Sequence, residues 1–199
     1  MKIKILVFLI TCFTLFGGVK NDAIAPTFTL MNQDSEMIDL ASFKGKKVIL
    51  EWTNHDCPFV KRHYDTDNMQ DLQKEYTEND VIWLSIISSA KGKQGYVTKS
   101  EAQELTANRN AQPSHVLFDS NGDVGKLYDA KTTPHMFIID EVGMLRYQGA
   151  IDNLGTTGAL FSTDLSKAKN YVRNAMKSLF LGEDVTEKKT RPYGCSVKY

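Results

Sequence analysis

A chain of 199 residues, 42% hydrophobic and 24% charged, is long enough for one domain with a packed core and too apolar for wholesale disorder. Its 24 Lys and Arg balance 24 Asp and Glu, which argues against a nucleic-acid-binding surface with its basic excess.

At the start of the chain, Lys2 and Lys4 precede a nearly continuous apolar run, Ile5 to Phe16, broken only by Thr11, Cys12 and Thr14; Gly17 and Gly18 follow. A positive start, a short apolar stretch and small residues form the pattern of a secretory signal peptide, and the run is too short for a comfortable membrane span. Residues 1–22 are therefore read as a signal peptide cleaved between Gly17 and Ala25, and the mature chain as periplasmic or otherwise extracytoplasmic. Cys12 lies inside the apolar run rather than after it, which argues against a lipid anchor. Its removal leaves Cys57 and Cys195 in a compartment where disulfides persist. A structural bridge, a redox pair and two unrelated thiols all remain open.

No repeat or Pro/Gly linker divides the rest, so residues 25–187 read as one domain and 188–199 as a tail carrying Cys195. Lys46 to Trp52 and Val81 to Ile87 read as strands buried on both faces. His115 to Phe118 is a third strand, closed by the turn Asp119-Ser120-Asn121-Gly122. His135 to Asp140 is a fourth, returning near Leu145 to Gln148. Helices are predicted from Cys57 to Glu75, with a bend at Asp65-Thr66-Asp67, from Thr98 to Asn110, and from Asp164 to Phe180, where Leu165, Ala168, Tyr171, Val172, Ala175, Met176 and Leu179 share a face. The polar stretch Ser88 to Lys99 reads as a loop. Alternating strands and helices indicate an α/β layer fold.

The segment Trp52 to Phe59 runs from a buried strand into a helix. With Pro58 in the first helical turn, Cys57 becomes the N-cap. Unpaired N–H groups and the helix dipole there stabilise a thiolate, which predicts an exposed, nucleophilic sulfur rather than an inert buried thiol. Asn54 either donates its amide N–H groups to an oxygen on that sulfur or caps the loop. Glu51 is a charged residue in an apolar strand, where an unpaired carboxylate is costly; it is either a proton relay or an ion-pair partner. Pro134 opens a strand, an unusual position, although the bond before such a proline is by itself usually trans. His55, Cys57 and His135 form an alternative copper or zinc site.

Trp52, four residues, then Cys57-Pro58, with Thr133-Pro134 opening a later strand, resembles the thioredoxin fold. Ala25 to Leu181 is similar to its redoxin branch, the alkyl hydroperoxide reductase/thiol-specific antioxidant group, whose opening resembles Pro26 to Leu30 and Leu40-Ala41-Ser42-Phe43-Lys44-Gly45-Lys46. Asn54 to Phe59 and the tail Gly194 to Tyr199 resemble a peroxiredoxin-like subgroup of exported proteins. The resemblance implies a thioredoxin-like α/β fold, a central mixed β-sheet flanked by helices, and a cis Thr133–Pro134 bond turning Thr133 towards the sulfur. It implies a thiol-dependent antioxidant enzyme, without a cofactor, that reduces peroxide or exchanges disulfides through Cys57. Cys195, on a flexible tail, or an external thiol reductant would regenerate Cys57, with Asn54 and Glu51 assisting. Trp52, Pro58, Phe59, Thr133 and Pro134 would line the substrate site. Self-association is left open.

The sequence also departs from these patterns. Val60 stands where a thioredoxin-type exchanger has its second Cys. Asn54 replaces the Thr or Ser of peroxiredoxins, and Leu50 replaces their Pro. Arg109 and Arg146 compete for the role of the peroxiredoxin arginine. Thr53 stands where exported copper chaperones of this fold have their first Cys.

Overall fold

The computed structural model describes residues 18–155, 165 and 167–199. Most of the stretch read as a signal peptide, and Asp164 at the start of the last predicted helix, lie outside the described residues.

In chain order the elements are β1 (Thr29–Asn32), β2 (Met37–Asp39), a 3-10 turn (Leu40–Phe43), β3 (Val48–Trp52), α1 (Pro58–Asp65), α2 (Asn68–Thr77), β4 (Ile82–Ile87), α3 (Lys99–Asn108), β5 (His115–Phe118), α4 (Asp123–Tyr128), β6 (Thr132–Thr133), β7 (His135–Ile139), β8 (Leu145–Gly149), α5 (Tyr171–Phe180) and β9 (Cys195–Ser196). A seven-stranded mixed sheet runs β2-β1-β5-β4-β3-β7-β8, and β6 and β9 form a separate ribbon. In the centre β3, β4 and β5 are parallel, while β7 returns antiparallel to β3. This is a thioredoxin-like α/β fold.

Strand alternation sorts β3 between two cores. Ile49 faces the core built with α1, α2 and α5, and Cys57 belongs to that layer. Val48, Leu50 and Trp52 face the opposite core, which holds Tyr128 of α4 and Phe137 of β7. Burying both faces of the central strands explains their continuous apolar runs.

Several elements differ from the sequence reading. The helix predicted over Cys57 to Glu75 is two helices, broken where Asp67 takes a left-handed conformation at φ 58°. The last helix begins at Tyr171, because Asn170 caps it by accepting a hydrogen bond from the Arg173 N–H. Leu165 and Ala168 therefore precede the helix. Strands β1 and β2 and helix α4 carry no period long enough to announce them.

The tail is not a free arm. Gln148 in β8 exchanges backbone hydrogen bonds with Lys188 (3.0 Å) and Thr190 (3.1 Å). Beyond Tyr193, β9 pairs with β6, opposing Thr133 to Cys195. Lys198 accepts from the Ala90 N–H at 2.9 Å, and the Tyr199 hydroxyl donates to the Ala130 carbonyl at 2.8 Å. The strap from Tyr193 to Tyr199 thus crosses the end of the sheet where Cys57 lies.

Candidate active site

After β3 the chain makes a tight turn that delivers Cys57 to the head of α1. The Asn54 side-chain oxygen accepts the Asp56 N–H at 2.9 Å, and its carbonyl accepts the Cys57 N–H at 3.0 Å. Cys57 is the N-cap, in extended conformation (φ −72°, ψ 122°), and Pro58 starts the helix, where its missing N–H costs nothing. The positive end of the helix dipole lies at this position. The Cys57 thiol donates to the Thr133 carbonyl at 3.1 Å, next to the Thr133–Pro134 bond, which is cis.

The second sulfur comes from the strap. Strand β9 sets Cys195 opposite Thr133, whose carbonyl accepts from the Cys57 thiol, and Cys195 packs against the core that holds Cys57. Both cysteines are free thiols. Burial pushes the Cys195 thiol up to about 12, and the neighbouring Cys57 acts in the same direction. Cys195 therefore keeps its proton at neutral pH.

This close approach depends on Gly194. Its φ of 131° belongs to glycine, and a Cβ there would run into the Thr133 carbonyl. On one side of the sulfurs, the buried Tyr193 anchors the strap: its hydroxyl donates to Asp152 at 2.6 Å and lies 3.1 Å from His63 Nε2. Its ring meets Phe59 edge-on at 5.9 Å between centroids. On the other side, the Tyr199 ring rests against Gly122 and Gly125, where any Cβ would overlap it.

The exposure of Cys57 is where the sequence reading fails. The sulfur sits at a helix head beside Pro134, yet Cys57 is 0% exposed and packs in the core with Val60, Met136 and Tyr193. The cause is the strap, which covers the sulfur. Cys195 is only partly buried.

Among the expected substrate-site residues, Pro58 is exposed and Phe59 half-buried, whereas Thr133 and Pro134 are buried. Trp52 is excluded from any such surface. It is 0% exposed in the opposite core, 5.0 Å from Phe137, with its indole N–H donating to Ser88 at 2.9 Å. Asn54 caps the loop with its side-chain oxygen and donates one amide N–H to the Gln94 carbonyl at 3.3 Å.

Glu51 is also diverted. Its carboxylate accepts from Tyr64 (3.0 Å), Gln73 (3.2 Å), Trp83 (2.9 Å) and Ser85 (2.9 Å). Among the described residues no hydrogen bond links it directly to Cys57. Arg109 lies over the Tyr64 ring at 4.0 Å, and Arg146 pairs with Asp22, Asp140 and Asp184; neither is bonded to Cys57. Arg62 is buried with no hydrogen-bond partner for its guanidinium among the described residues.

The alternative metal site fails on geometry. Among the described residues no three His, Cys, Asp or Glu side chains form a group fit to hold a metal ion. His55 faces Asp56 at 3.4 Å, and burial lowers its pKa. His135 is buried, accepts the Lys131 N–H at 3.3 Å, and is pushed down to about 3 by burial.

Tyr193, Gly194, Tyr199, His63 and Asp152, which hold the strap, are absent from the sequence-based set. The signal was thin: an aromatic and a glycine immediately before Cys195.

A helix-head cysteine beside a cis-proline strand opening, faced by a second thiol, defines a thioredoxin-fold dithiol protein. Residues 22–148 match the AhpC/TSA family, to which the chain belongs. Over 130 residues it is 26% identical to "Thioredoxin-like protein YneN" of Bacillus subtilis (strain 168), covering 65% of this chain and 71% of the relative. It also resembles the structure of an uncharacterized conserved protein from Geobacillus kaustophilus, with TM-score 0.77 and 24% identity over 94% of both chains. A putative thiol:disulfide interchange protein DsbE from Chlorobium tepidum aligns with TM-score 0.54 and 23% identity, over 66% of this chain and 85% of that one.

Proposed function

We propose that this protein is an exported thiol peroxidase in which Cys57 is oxidised and Cys195 resolves it. The observation that carries this reading is the meeting of two free cysteines at Thr133, one at a helix N-terminus and one on the strap above it. The Cys57 thiolate attacks the peroxide, the O–O bond breaks, and the alkoxide or hydroxide leaves with a proton as alcohol or water. The Cys195 sulfur then attacks the sulfenic sulfur, the S–S bond forms, and hydroxide leaves with the Cys195 proton as water. An external thiol reductant restores both thiols.

The sealing of Cys57 favours a peroxide over a protein disulfide as oxidant. A molecule of a few atoms needs only a small displacement of the strap, whereas a folded partner needs all of it removed. Thiol–disulfide exchange is the second reading, favoured by the paired thiols and by the thiol:disulfide interchange protein from Chlorobium tepidum that shares the fold. Export rests on the Lys2 to Gly18 pattern, and the N-terminal sequence of the protein recovered from cells tests it.

One equivalent of hydrogen peroxide is expected to consume both thiols of the wild-type protein and yield an intramolecular disulfide. Cys195→Ser should instead gain one oxygen at Cys57, and Cys57→Ser should not react. Peroxide consumption that survives Cys57→Ser overturns the proposal. A wild-type protein inert to peroxide but oxidised by a disulfide selects the second reading.

A further inference from the structure

The segment that precedes β1 is built into the fold. Ala25 is buried, and its N–H donates to the Gly143 carbonyl at 2.9 Å. The Asp22 N–H donates to the Leu145 carbonyl at 2.8 Å, and the Leu145 N–H donates back to the Ala23 carbonyl at 2.9 Å. Asn21 ties β8 to the root of the tail. Its amide nitrogen donates to the Lys188 carbonyl at 2.7 Å, and its oxygen accepts from the Gln148 amide at 2.9 Å. The same Gln148 amide donates to the Val19 carbonyl at 3.0 Å. Asp22 pairs with Lys188 at 2.7 Å and with Arg146 at 3.2 Å. Val19 packs on the core that Val197 of the strap also covers.

Gly18 is set against a carboxylate. A Cβ at this position would lie 2.5 Å from the Asp129 Cβ and 3.3 Å from a carboxylate oxygen of Asp129. A residue without a side chain is what lets the backbone come so near. Asp129 also pairs with Lys131 at 3.1 Å, and its charge acts on Tyr199 of the strap.

After the apolar run, two places offer the small residues that a leader peptidase reads: Gly17-Gly18, directly behind Phe16, and Ala23-Ile24-Ala25. The fold separates them. A cut behind Ala25 discards every contact made by Gly18 to Ala25, and with them the tie between β8 and the tail at Lys188. A cut between Gly17 and Gly18 keeps them all.

We infer that the Gly17–Gly18 peptide bond is a processing site for an endopeptidase and that Asp129 receives the amine it frees. This rests on the export reading above. Water adds across the bond: Gly17 keeps the new carboxylate, and Gly18 keeps the amine, which is mostly protonated at pH 7. An ammonium then stands beside the Asp129 carboxylate where the uncut chain has a neutral amide. The new chain end is thereby fixed next to the strap, since Ala130, the residue after Asp129, accepts the Tyr199 hydroxyl at 2.8 Å.

The test expresses the full chain in cells and maps the first residue of the protein in the extracytoplasmic fraction by N-terminal peptide mass. Gly18 is the expected first residue. Any other new first residue, Pro26 included, overturns the processing site while export stands. A chain that keeps its first residues and stays in the cytoplasm removes the export reading, and this inference with it. The role of Asp129 is read on the processed protein, by acylating the α-amine with limiting acetic anhydride near pH 7. Pairing holds the proton on the amine, so Asp129→Asn should raise its rate about threefold at low salt, the size expected of an exposed ion pair, relative to the lysines of the same protein. Equal rates in the two proteins overturn the pairing.

Discussion

A carboxylate buried without a cation needs donors in place of water, and Glu51 has four, all neutral: Tyr64, Gln73, Trp83 and Ser85. Glu51→Leu would strand them and should cost about 3 kcal/mol, since a buried donor left unpaired costs about 1–3 kcal/mol and the hydroxyls can turn away. Glu51→Gln keeps an acceptor and should cost about half as much. Urea unfolding measures both. If Glu51 only supports the core, the pH profile of Cys57 alkylation in Glu51→Gln stays that of wild type; a displaced profile would restore the relay. The sequence marked Glu51 as anomalous, correctly, because a charge in an apolar strand is visible locally. Its donors come from α1, α2 and β4, and no spacing rule reports them.

At the scale of elements, the strap decides what Cys57 can meet. Its hold is modular, with Tyr193 on one side, the β6–β9 ribbon in the middle and Tyr199 on the other. Gly125→Ala should strengthen α4 by up to about 1 kcal/mol through helix propensity, yet the new Cβ would overlap Tyr199. Losing about 1.4 kcal/mol of docking raises the open population about tenfold, so N-ethylmaleimide should label Cys57 about tenfold faster in this variant. Labelling at the wild-type rate would mean that Tyr199 does not hold the strap. Gly194→Ala acts at the ribbon, where the collision is with backbone and cannot be relieved by a side-chain rotation; it should open the strap further. The tail reads as flexible because it is short, polar and aperiodic. Its order comes from partners in β6, β8 and α4.

For the whole molecule, two buried histidines set the acid limit. Burial lowers His63 to about 4 and His135 to about 3. In the unfolded chain both titrate near 6.5, so below that value the unfolded state binds more protons and stability falls as pH falls. The shift of His63 corresponds to roughly 3 kcal/mol, lost between pH 6.5 and about 4. The urea midpoint should therefore drop steadily from pH 7 to pH 4.5, and His63→Gln should flatten that slope. A midpoint constant over this range would mean that His63 is not buried neutral. Because His63 also touches Tyr193, acid should loosen the strap before global unfolding, read as faster labelling of Cys57 relative to its thiolate fraction.

The residues by themselves determined the α/β class, the strand leading into Cys57, the helix head made by Pro58 and the family resemblance. Each depends on neighbours a few positions apart: apolar alternation, a proline at the first helical turn, a proline opening a strand. Only the tertiary structure decided that Cys57 is sealed, that Cys195 comes up beside it at Thr133, that Trp52 belongs to the opposite core, and that Glu51 is held by four neutral donors. Those outcomes are set by contacts between segments far apart in the chain, through pairing and packing that leave no periodic mark on either segment.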